Sequence, residues 1–140
     1  MRRLILAGCL LVLPSCNRNT VPPESSDNPA PTSAVSSEDS DRQAIEKLEA
    51  NARSIVKPDG CTTSSDCRAA PIGARGCGGP RDFIVYCMKI TDSVELARRI
   101  ATVDSAEKAF NTKYNVMSTC ELRLPPVVVL SGGSCVASAQ

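Results

Sequence analysis

Apolar residues form an unbroken run from Leu4 to Leu13, thin out over residues 17–40, and then recur with regular spacing to the C-terminus. Ser40 with Gln43 reads as a capping box, and Ile45, Leu48, Ala52 and Ile55 then fall on one helical face. Glu49 and Arg53 form an i,i+4 pair on another face, and Lys57-Pro58-Asp59-Gly60 ends the helix in a turn. Arg68–Ile72 and Phe83–Cys87 read as strands. Asp92 with Glu95 caps a second helix reaching to about Lys113, with Leu96, Ile100, Val103, Ala106 and Phe110 as its apolar stripe. Glu95–Arg99 and Asp104–Lys108 are i,i+4 pairs along it. Cys120–Leu124 and Val127–Leu130 read as strands broken by Pro125-Pro126, and Ser131-Gly132-Gly133-Ser134 as a turn into a last strand, Cys135–Ser138. The order α-β-β-α-β-β predicts an α+β class: a small disulfide-bonded domain, an antiparallel sheet with two helices on one face, preceded by a disordered tether.

The first apolar run is too short to span a bilayer, which needs about 20 residues, but it suits the core of an export signal behind the basic Met1-Arg2-Arg3. It stops at Leu13-Pro14-Ser15-Cys16, which resembles the bacterial lipobox. That resemblance implies a signal peptide over 1–15, cleavage after Ser15 and a diacylglyceryl (palmitate-type) thioether on Cys16. Pro14 departs from the usual residue at that place. Leu6-Ala7-Gly8-Cys9 matches the motif by residue type but leaves too short an apolar run before it. An ordinary signal peptide cut near Ser15, or an uncleaved anchor, is the plainer alternative. Two or more acyl chains hold a protein stably at a membrane, whereas one does not. Asn17 in place of an aspartate after the cysteine implies delivery to the cell outer membrane.

Residues 16–40 form the tether. Between 17 and 40 there are four Pro, six Ser and two large aliphatic residues, too little apolar surface to offset ordering entropy. Such a coil spans roughly 27 Å. The folded domain is then 41–140.

Charge and composition narrow the chemistry. Lys plus Arg is 16 against 15 Asp plus Glu, a net charge of +1, so no strong field draws nucleic acid. There is no histidine, which removes Ser–His–Asp and Cys–His triads, imidazole metal ligands and the usual pH switch. No cofactor is implied.

Of eight cysteines, Cys9 leaves with the signal and Cys16 is acylated, so six remain: Cys61, Cys67, Cys77, Cys87, Cys120 and Cys135. An even number in an exported chain reads as three disulfides. The gaps of 5, 9, 9, 32 and 14 residues contain no C-x-x-C, which argues against a metal site and against a thioredoxin-like redox role. Sequence leaves the pairing open; Cys120–Cys135, across the C-terminal strands, is preferred.

Pro71–Arg81 packs four Gly and two Pro around Cys77, a loop that demands positive φ. Arg75 and Arg81 flank it as a candidate binding loop, the way a stapled loop presents an arginine to a protease or grips an anionic group of an envelope polymer. A turn-rich connector with solvated arginines is the plainer reading. Asp59, Asp66, Asp82 and Glu121 are the only carboxylates offered for glycan cleavage, and no spacing requires them to converge. Ser64-Ser65 and Lys89 form no nucleophile motif, so the chain is not expected to be an enzyme.

Asp59-Gly60-Cys61, Asp66-Cys67, Gly73 and Cys77-Gly78-Gly79-Pro80 together resemble small cysteine-rich secreted proteins and lipoproteins of unknown function with a Cys-Gly-Gly-Pro turn. The resemblance covers about residues 45–137 and brings no activity with it. This chain departs from the pattern in having Cys87 in place of a small polar residue and Leu130 near the place of a cysteine. The expectation is a lipoprotein held in the membrane through Cys16, with a non-catalytic extracytoplasmic domain facing the periplasm or the outside. An envelope inhibitor or immunity-type protein that docks an envelope protein partner leads. A structural or assembly lipoprotein is the alternative, and a hydrolase stands third.

Overall fold

A computed structural model describes residues 32–138; the leader, the lipobox at Cys16 and the tether up to residue 31 lie outside the described residues. The elements run α1 (Thr32–Arg53), a 3-10 turn (Ser64–Asp66), β1 (Cys67–Ile72), β2 (Asp82–Cys87), α2 (Ser93–Lys113), β3 (Val128–Ser131) and β4 (Ser134–Ala137). The class and order match the α+β expectation, but the strands form two separate antiparallel ribbons, β1–β2 and β3–β4, instead of one sheet.

Helix α1 starts at Thr32, so Ser40 is an interior residue and not a cap. The last proline of the tether is Pro31, and nothing after it forbids helical φ and ψ. An i,i+4 pair, Arg42 to Glu38 at 2.7 Å, lies on this added stretch. Helix α1 thus takes in residues 32–40, which the sequence pattern assigns to the tether. Among the described residues, no helix is long and apolar enough to cross a membrane.

The alternation in β1 and β2 sorts their residues onto two faces. In register, Ala70 faces Ile84 and Cys67 faces Cys87. Ala70, Ile72, Ile84 and Tyr86 meet the helices, where Ala52 of α1 and Leu96, Ile100 and Val103 of α2 complete an apolar core. The opposite face carries Cys67, Val85 and Cys87, which pack with Cys61, Cys135, Val128 and Leu130. The ribbon is thus a middle layer between a helix pair and a sulfur-rich layer. At the end of the second layer, Gly132 and Gly133 (φ 59° and 83°) make the two-residue turn joining β3 to β4.

The disulfides are Cys61–Cys87, Cys67–Cys135 and Cys77–Cys120. Cys120 does not pair with Cys135: Cys135 sits in β4 beneath Cys67, while Cys120 lies in an irregular segment beside the Cys77 loop. Asp92 caps α2 as expected, its carboxylate accepting from the N–H groups of Val94 (3.1 Å) and Glu95 (2.9 Å). Cys120–Leu124 is not a strand, because β3 pairs with β4 and β1 with β2, leaving no ladder beside it.

Candidate functional site

The loop between β1 and β2, residues 73–81, is built by turn chemistry and then fastened from outside. Gly73, Gly78 and Gly79 all have positive φ, as the sequence required. Arg75 and Gly79 close a tight turn, with Arg75 N–H on Gly79 O (3.1 Å) and Gly78 N–H on Arg75 O (2.9 Å).

Helix α2 fastens the base of the loop with side chains at i, i+3 and i+7. Asp104 accepts from Gly73 N–H (2.7 Å), Glu107 accepts from Ala74 N–H (2.5 Å), and Asn111 donates to Ala74 O (2.7 Å). Glu107 is buried, and a Cβ on Gly73 would stand 2.5 Å from its carboxylate, so this approach requires glycine. Burial is also the main cause that pushes the Asp104 carboxyl above its usual range. Asp104 does not form the expected ion pair with Lys108; Lys108 stays exposed.

Arg81 does not project. It turns inward, Nε donating to Glu107 (2.9 Å) and Nη2 to Glu49 of α1. Glu49 also takes Arg53 (2.8 Å), which reaches Asp82 at 2.9 Å. One chain of charges therefore links both helices to the root of β2. Burial pushes Glu49 and Asp82 upward. The hydrogen bonds from Arg53 and Arg81 to Glu49 outweigh that, as do those from Phe83 N–H and Arg53 to Asp82, so both carboxyls lie below their usual range.

Arg75 is likewise held: Nη1 donates to Glu121 O and Nη2 to Thr119 O. With Cys77–Cys120 and the bond from Cys77 N–H to Ser118 Oγ (3.1 Å), it straps segment 116–127 to the loop. What the loop leaves exposed is its tip, Gly76 to Gly79, beside a cleft of about 420 Å³ walled by Pro80, Asp104, Lys108 and Thr112.

The carboxylates considered for glycan cleavage enter separate contacts. Asp82 holds Arg53, Asp66 accepts from Thr63 Oγ1 (2.9 Å), Asp59 bridges to Ser134 through its backbone, and Glu121 is exposed. The sulfurs of Cys61, Cys67 and Cys135 lie within 4.8 Å of one another, all three tied up in disulfides.

Sequence reading missed Asp104, Glu107 and Asn111 as loop holders. Their signal was a second, polar stripe on α2 adjoining the apolar one, at spacing that charged residues on a solvated face also show. Compared with family models, curated proteins and solved structures, the chain matches none.

Proposed function

We propose that the chain is a bacterial envelope lipoprotein, acylated on Cys16, whose folded domain is a non-catalytic binding module of the inhibitor or immunity type. It docks an envelope protein partner with the tip of the 73–81 loop and the adjoining cleft. The observation that carries this reading is the fastening of the loop. A disulfide, the polar stripe of α2 and two arginines fix its backbone, while Gly76 to Gly79 stay exposed. A loop fixed in advance loses little entropy on binding. Three disulfides also suit a domain that works in an oxidising compartment.

Arg75 and Arg81 have the role of holding the loop's shape, so the contact surface is Gly76–Gly79, Lys108 and Thr112. The test is capture from an envelope extract with the oxidised chain, beside a Lys108→Glu/Thr112→Arg variant. Both positions are exposed, so the fold should persist. Stoichiometric capture that drops about tenfold in the variant is expected. Equal capture by both would refute the loop as the contact. Separately, Cys16→Ser should move the protein from the membrane to the soluble fraction; continued membrane attachment would refute the anchor.

A further inference from the structure

We infer that the domain pairs with a second copy of itself through residues 120–124, edge to edge and antiparallel, about a twofold axis at Leu122. The inference is independent of the anchor and of the loop's partner.

The segment is unpaired, and its contacts to Arg75 point to an extended chain. One guanidinium, that of Arg75, takes the carbonyls of both Thr119 and Glu121. Residues 116–127 form no helix or turn, and outside a helix carbonyls two residues apart point the same way where the chain is extended, each residue presenting its N–H and C=O to one edge and the next residue to the other. The odd-numbered edge therefore faces Arg75. The even-numbered edge, Cys120, Leu122 and Leu124, faces away. Among the described residues, no backbone N–H from Met117 to Leu124 has a hydrogen-bond acceptor in the protein. Leu122 and Leu124 are 85% and 62% exposed. Pro125 and Pro126, which lack N–H, end the edge.

The side chains select the occupant. Set antiparallel with Leu122 opposite Leu122 of the second copy, Glu121 falls opposite Arg123 and Arg123 opposite Glu121, giving two ion pairs by symmetry. In this register Leu122 faces itself, and Cys120 and Leu124 face each other, as pairs exchanging both backbone hydrogen bonds. These are the residues of the free edge. Glu121 and Arg123 then occupy the closer, non-hydrogen-bonded pairs. Backbone parity, charge and the proline stop all agree on one register. A parallel pairing would set Glu121 against Glu121 and Arg123 against Arg123.

The test uses the full chain expressed with its leader. Leu122→Cys should yield a disulfide-linked dimer on a non-reducing gel, since such a pair is about 5.5 Å apart at Cα, within disulfide range. Val94→Cys, on α2 and 82% exposed, is the control and should stay monomeric. Adding Arg123→Glu to Leu122→Cys should cut the dimer about tenfold, and the swapped Glu121→Arg/Arg123→Glu background should restore it. Co-capture of two differently tagged copies without the added cysteine should follow the same order. Cross-linking at Leu122 no greater than at Val94, or a charge swap that fails to rescue, would overturn the pairing.

Discussion

The two ends of the domain are fastened by different means. At one end Cys61, Cys67, Cys87 and Cys135 are buried with Val85, Val128 and Leu130, so two disulfides act as core residues. At the other, the 73–81 loop and segment 116–127 are held by an exposed disulfide, a run of ion pairs and hydrogen bonds to backbone. Buried crosslinks fix an end whatever the solvent does. Ion pairs and an exposed bridge leave the other end responsive to acid and to reductant. The end proposed to bind is the responsive one.

The sulfur-rich end should be the more costly of the two to undo. Cys67→Ala/Cys135→Ala removes a bridge spanning 68 residues and leaves space in a packed layer, and should cost about 4 kcal/mol. Thermal unfolding followed by circular dichroism should lose most of its cooperativity; an unchanged midpoint would mean the sulfur layer is not a core. Cys77→Ala/Cys120→Ala should cost about 2 kcal/mol, because fraying of the freed segment returns part of the entropy. Hydrogen exchange should then rise in 73–81 and 116–127 while Ile84, Leu96 and Val103 remain protected. A uniform rise would show the two ends to be one cooperative unit.

Glu107→Gln sharpens the contrast further. It keeps the shape and an acceptor for Ala74 N–H but removes the charge that Arg81 faces, and should cost about 1–2 kcal/mol. A loss confined to exchange protection of the loop is expected; a global loss of the same size at both ends would contradict it.

Acid should have the smallest effect. Glu49 and Asp82 have lowered values, so their stabilisation is present above the usual 4.5 and 3.8 and is lost as pH falls through their folded values. Hydrogen bonds from Arg98 and Arg99 lower Glu95 to about 2, in the same sense, although its exposure makes its share small. Asp104 has the opposite sign. Its raised value makes folding relatively easier at low pH, and it partly offsets the others. From neutral pH to about pH 3 the loop end should loosen first in exchange measurements. Loosening that begins at the sulfur end would be inconsistent with the ion-pair chain as the acid-sensitive element.

Much of this was legible along the chain. The stripe Leu96, Ile100, Val103, Phe110 and the cap at Asp92 declare α2, and Gly132-Gly133 declares the hairpin, because period and turn chemistry are local. What local pattern does not carry is which groups meet across the fold. Glu107 reads as a solvated charge until Arg81 and the Ala74 N–H converge on it. Arg75 and Arg81 read as projecting for the same reason. Cys120 carries the alternation of a strand, yet no element lies beside it to pair with. The start of α1 was misplaced because a serine followed by a glutamine three residues later suggests a cap even when the helix passes through it.

The register of β1 and β2 has a consequence for how the chain is made. Cys67 and Cys87 stand directly opposite each other, yet each bonds elsewhere, to Cys135 and Cys61. As the chain is synthesised, that hairpin can close while Cys135 has still to arrive. Cross-strand neighbours about 5 Å apart at Cα lie within bonding range, so a non-native Cys67–Cys87 pair competes there with the native Cys61–Cys87 one. Any Cys67–Cys87 bond formed then must be opened by thiol–disulfide exchange before the hairpin's two cysteines can take their final partners. Where that bond forms, the final pairing of Cys67 waits on Cys135, in the last strand.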